Sequence, residues 1–170
     1  GEGTEGSPYI ISTAEEFMGI VRAETERTDP NGGVVKYYKV ADGVKVFDFT
    51  GTSPNGTAIF SGVLDGNGVT IKNYTDGEAY HNHGMFYSLD GATFKNIRID
   101  GANFTTTATY LCGGVFTGSV IGSVKPITFD NVAVINSTVS VGSNGYAGAF
   151  IGAPYMYPAT ASAPVSYNNC

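Results

Sequence analysis

HGMFYSLDGATFKNIRIDGANF, residues 83–104, is the stretch that decides the fold, because two later segments repeat its layout. They are GGVFTGSVIGSVKPITFDNVAVINSTV, residues 113–139, and AGAFIGAPYMYPATASAPVSYNNC, residues 147–170. Each opens with a glycine, a small or apolar residue and a phenylalanine: Gly84-Met85-Phe86, Gly114-Val115-Phe116 and Gly148-Ala149-Phe150. Each then reaches an aromatic residue, a variable one, an asparagine and an apolar residue: Phe94-Lys95-Asn96-Ile97, Phe129-Asp130-Asn131-Val132 and Tyr167-Asn168-Asn169-Cys170. The glycine heads lie 30 and 34 residues apart, the asparagines 35 and 38. The length varies in the loop between the two halves.

A period in this range marks a repeat array. The segments are β-branched and Gly-rich and lack helical periodicity, so helical repeats are excluded. A WD-type propeller fits poorly, because the chain has no tryptophan and its blade period is longer. The pattern predicts an all-β fold: a right-handed parallel β-helix, or solenoid, with each repeat forming about one coil of short strands. Inward positions are expected at Val69, Ile71, Ile97, Ile99, Val132 and Val134. The last segment ends after its asparagine, so either the chain is a fragment or its C-terminal coil is incomplete, with an edge open to a partner strand.

The N-terminal segment is different. Tyr9 to Ile11 reads as a short strand, and Thr13-Ala14-Glu15-Glu16 as a capping box. Ala14, Phe17, Met18, Ile20 and Val21 follow at helical spacing, with Glu15 and Glu16 in the first turn where the helix dipole favours them. The expectation is one capping helix from about Ala14 to Glu26, ended by the Asp29–Gly33 turn. Residues 1–33 then form strand and cap, and residues 34–170 the coils of a single domain. In FSGVLDGNGVTIKNY, residues 60–74, a Gly-rich turn is expected before Val69, with Gly66 and Gly68 at positive φ.

Composition narrows the function. Hydrophobic residues make up 42% of the 170, charged residues only 14%, and the net charge is −6. Such a surface, covered by Ser, Thr, Asn and Gly, suits an extracellular β protein. The nine Lys and Arg are scattered, which excludes a nucleic-acid footprint. No apolar run reaches the length of a membrane span. The start, GEGTEG, shows no signal peptide and reads as a mature terminus or a boundary. Cys112 and Cys170 permit one bridge or two free thiols. Sequons stand at Asn55, Asn73, Asn103 and Asn136 and matter only in a host that glycosylates.

GEGTEGSPYIISTAEEF, residues 1–17, resembles the start of bacterial surface β-helix modules, in which G-T-x-x-x-P-Y-x-I-x-T leads into a helix. FSGVLDGNGVTIKN is similar to their F-x-G-x-L-D-G-N-G-x-x-I segment, and GGVFTGS and GAFIG to the GLUG repeat of adhesin-like proteins. Gly84-Met85-Phe86-Tyr87-Ser88 lacks the final glycine of that repeat. The resemblance implies a secreted or surface-anchored module, often part of a larger adhesin; it does not imply an enzymatic activity.

Several residue groups invite chemistry. His81 and His83, within HNH, would share one face of a strand. Zinc needs a third protein ligand at least and none is apparent, so they read as exposed turn residues opening a coil. Asp65 and Asn67 resemble part of a calcium loop, but the EF-hand pattern fails beyond them. Asp90, Asp100 and Asp130 are candidate carboxylates for a polysaccharide lyase or glycoside hydrolase, the contrasting reading. Lys95 and Asp130 share a repeat register and are expected to form an exposed ion pair. Asn96, Asn131 and Asn169 are expected to form an asparagine ladder, with side-chain amides bonding along the coil axis. Tyr155 and Tyr157, in PYMYP, are candidate glycan contacts. The reading is a non-enzymatic extracellular or cell-surface structural or adhesion module with no catalytic residue, metal or cofactor. Its expected partners are surface glycans, another copy of itself or a further β-helix module.

Overall fold

The structure, a computed structural model, describes residues 1–22, 35–52, 56–75, 82–109, 111–121, 125–156 and 163–170. The elements begin β1 (Tyr9–Ile11), α1 (Ala14–Arg22), β2 (Tyr37–Val40), β3 (Val46–Asp48), β4 (Ile59–Phe60) and β5 (Val63–Lys72). They continue β6 (Asn82–His83), β7 (Ser88–Leu89), β8 (Thr93–Asp100), β9 (Asn103–Thr105), β10 (Cys112–Gly114) and β11 (Thr117–Ile121). The last are β12 (Ile127–Ile135), β13 (Thr138–Ser140), β14 (Tyr146–Gly148), β15 (Ile151–Met156) and β16 (Val165–Asn168). The described residues are mostly strand with one short helix, and their sheets are built from parallel strands.

The local chemistry at the helix start is the reciprocal bonding of a capping box. Glu16 N donates to Thr13 Oγ1 at 3.1 Å, while Glu16 Oε2 accepts from Ser12 N at 2.6 Å and Thr13 N at 3.1 Å. Phe17, Ile20 and Val21 are buried, with Ala14 and Met18 packed at the margin. Phe17 meets the rings of Phe47 and Phe49 at 5.8 and 6.0 Å. The expected extension to Glu26 and the Asp29–Gly33 turn lie outside the described residues.

The largest sheet runs β1-β2-β5-β8-β12-β16, with β3 also against β5. Smaller parallel sheets are β14-β10-β6, β11-β15, β13-β9 and β4-β7. Parallel partners need a long connection between them, which is what the repeat period supplies. Thr93 pairs with Val63 and Thr128, and Thr128 with Ser166. The glycine heads meet in register too: Gly114 pairs with Gly148, and Phe86 N donates to Phe116 O, as Phe116 N does to Phe150 O.

Two local expectations are corrected. The Gly-rich turn before Val69 is a bulge inside the continuous strand β5, which shifts register against β8 between Asp65 and Val69. Asn67 and Gly68 take the positive φ values, 51° and 81°, that let extra residues loop out without ending the ladder. Gly66 has no positive φ; a Cβ there would collide with Ile97 and come within 2.7 Å of Asn96 O. Close approach is its reason for being glycine.

One hydrophobic cluster extends from Ile11 and the helix side chains to Ala163. The expected inward residues Val69, Ile71, Ile97, Ile99 and Val132 are buried in it, with Val134 partly buried at its edge. Its spine is aromatic. Phe94 touches Phe60, Phe86, Phe116 and Phe129 at 4.7–5.6 Å between centroids, and Tyr167 stacks on Phe129 at 5.4 Å. Such pairs add about 0.5–1.5 kcal/mol each beyond burial.

Candidate functional site

Asn67, Asn96, Asn131 and Asn169 all hold φ between 51° and 54°, the left-handed region that asparagine tolerates. A left-handed residue bends the strand without stopping it. Asn169 Nδ2 donates to Asn131 Oδ1 at 3.3 Å, Asn131 Nδ2 to Asn96 Oδ1 at 2.9 Å, and Asn96 Nδ2 to Asp65 Oδ1 at 3.0 Å. Asp65 Oδ1 also takes Asn67 N at 2.9 Å, and Asn67 Nδ2 donates to Val40 O and Asp42 Oδ1. Asp65 Oδ1, one of the atoms that suggested a calcium loop, thus accepts from two amide donors.

A second set of such bonds stands at the ends of β3, β5, β8 and β12. Asn73 Nδ2 donates to Asp48 Oδ1 at 3.0 Å and Thr50 Oγ1 at 2.8 Å, and Asn136 Nδ2 donates to Asp100 Oδ1 at 2.9 Å. The Asn73 amide, then the Thr50 hydroxyl, hold the Asp48 carboxyl down at about 2. The Asn67 amide, ahead of nearby Lys39, lowers that of Asp42. Sequence reasoning treated Asn73 and Asn136 only as sequons. The signal it passed over was their position directly after strand residues that align between repeats.

The candidate carboxylates do not converge. Asp130 pairs in register with Lys95, whereas Asp100 pairs with Ile135, five positions further along the same ladder. Asp90 sits after β7 in an ion pair with Lys125 at 3.1 Å. Lys95 and Asp130 stand opposite one another without forming the expected ion pair; an exposed pair of this kind gains too little to hold two flexible side chains together. No group of three or more metal-ligating side chains occurs among the described residues. His81 lies outside them, and His83 stands on β6, paired in register with Gly113, rather than in a turn.

Tyr155 lies on β15, a strand paired with β11, not in a loop; Tyr157 is outside the described residues. Neither cysteine is in a disulfide; Cys112 is buried and Cys170 exposed, and burial raises the Cys112 thiol pKa. A cavity of about 370 Å³ opens beside β12, β13 and β14, lined by Val115, Val134, Val139, Ala147 and Ala149 among others. No described helix is long and apolar enough to cross a membrane. No protein-family model, curated protein or solved structure matches the chain.

Proposed function

We propose that the chain is a right-handed parallel β-helix module of an extracellular or cell-surface protein, with a structural or adhesive role and no catalysis of its own. The observation that carries the reading is the use of polar side chains. Asp48, Asp65, Asp100 and the asparagines bond from repeat to repeat along the stack, rather than converging on a shared hollow. Parallel pairing at the repeat period supports stacked coils, and the GLUG-like heads fit a bacterial adhesin-like module. Tyr155 and Tyr157 are the proposed contacts for surface glycans. The test is a glycan array run beside a product assay on acidic polysaccharides. Binding without turnover is expected. Release of reducing ends or unsaturated products, lost on substituting Asp90, Asp100 or Asp130, would establish the lyase or hydrolase reading instead.

A further inference from the structure

We infer that a recess on the outer face of β2, β5 and β8 is a binding subsite for one uncharged sugar ring. The inference rests on the adhesive reading above and gives it a second contact point, with a stated class of ligand. Glu2 N, Gly3 N and Thr4 N all donate to Ser7 O, and Ser7 N donates to Thr4 O, at 2.8–3.2 Å. Glu5 and Gly6 therefore form the tip of a tight loop. Tyr37 N donates to Gly3 O at 2.9 Å, which fixes this loop against the start of β2. Beside it lies a recess of about 160 Å³, lined by Glu5, Pro8, Tyr37, Lys39, Asp65 and Lys95 among others. Register sets Lys39, Asp65 and Lys95 side by side on three neighbouring strands.

The polar groups of the recess are held in place yet under-used. Asp65 Oδ1 is taken by Asn67 N and Asn96 Nδ2, which orients the carboxylate, while Oδ2 accepts from no described residue. Lys95 stands in register between Asp65 and Asp130 and bonds to neither; its ammonium has no partner among the described residues. Lys39 meets only the outlying Asp42, at 3.4 Å, a contact worth little at the surface. Tyr37 is half-buried, and among the described residues its ring meets no other ring and its hydroxyl makes no hydrogen bond. A sugar ring matches this set: it has an apolar C–H face and a rim of hydroxyls. The face packs on the Tyr37 ring. Each hydroxyl both donates and accepts, so neighbouring hydroxyls donate to Asp65 Oδ2 and accept from Lys95 Nζ. Such charge-assisted bonds are roughly twice as strong as neutral ones.

Charge and size narrow the ligand. The carboxylates of Glu5 and Asp65 balance the ammoniums of Lys39 and Lys95, so the lining has no net charge. The chain as a whole carries −6. An acidic sugar gains nothing from a balanced lining and is repelled by the net field; a neutral one is not. The volume is about half of the ~300 Å³ at which drug-sized pockets begin, which leaves room for one ring. Of the stacked carboxylates Asp48, Asp65 and Asp100, only Asp65 lines the recess.

Titration of the isotope-labelled protein, followed by NMR, tests this. The probes are the methyl glycosides of glucose, galactose and mannose, with methyl glucuronide as the charged counterpart. At least one neutral glycoside should shift the Tyr37 ring and the Asp65 and Lys95 amides, with a Kd of about 1–10 mM. The glucuronide should bind about tenfold more weakly or worse. Tyr37→Ala and Lys95→Gln should each weaken binding by about tenfold, with an unchanged far-ultraviolet dichroism spectrum; if Tyr37→Ala does not fold, Lys95→Gln decides. No shift with any neutral glycoside at ~100 mM would overturn the subsite. So would a glucuronide that binds as tightly, or a folded Lys95→Gln that binds like the wild type. Shifts confined to the strand of Tyr155 would overturn the subsite and leave the adhesive reading standing. Shifts at Tyr37 beside a silent glycan array would do the reverse: the subsite holds and its adhesive use falls.

Discussion

Asn131 does two jobs at one position. Its backbone holds φ at 54°, and its amide both donates to Asn96 and accepts from Asn169. Two substitutions separate them. Asn131→Gly keeps the backbone free to bend and deletes both amide bonds, at about 1–2 kcal/mol. Asn131→Ala deletes the same bonds and forces a Cβ into the left-handed region, adding about 1 kcal/mol. Denaturant unfolding reads both; a glycine variant as stable as the wild type would show that the amide chain contributes nothing. Asp48 makes a prediction in pH. Its folded pKa, about 2, lies below its ordinary 3.8, so the charged form favours the fold. That stabilisation is complete above about pH 4 and is lost as the pH falls toward 2. Thermal melts from pH 5 to 2 should show a decline that Asp48→Asn flattens.

At the scale of elements, the same exchange of glycine for alanine should have opposite signs in the helix and at a repeat head. Gly84 precedes the first Met-Phe head, and a Cβ there would lie 2.8 Å from both Thr117 N and Gly114 O. These are backbone atoms and cannot swing aside. Gly84→Ala should cost about 2–3 kcal/mol. Gly19, inside α1, has nothing within 4 Å of an added Cβ. Gly19→Ala should stabilise by about 0.5–1 kcal/mol. Calorimetric melting of the pair checks both directions; a harmless Gly84→Ala would mean that the heads are not closely packed.

For the molecule as a whole, the all-β character was readable from the repeat. The spacing of the heads and asparagines already contained the register in which β8, β12 and β16 pair. The helix start was equally plain, because a capping box acts over four residues and needs no tertiary partner. What escaped were features that depend on which side of a strand meets what. The β5 bulge looked like a turn, since Asn and Gly at positive φ serve both. The Asp48–Asn73 and Asp100–Asn136 bonds involve residues whose repeats do not align letter for letter. The Lys95–Asp130 pair failed for the converse reason: register places two residues opposite one another, but it does not make exposed side chains reach.

The distance in sequence between stacked partners has a consequence in time. No pairing in the largest sheet between β5 and β8, or between β8 and β12, can form until a loop of some thirty residues has closed. Loop closure comes before any contact repays its entropy, which slows folding. The capped helix can begin without waiting, since its bonds span only a few residues. Each stacked pairing between repeats therefore waits on a slow loop closure of its own.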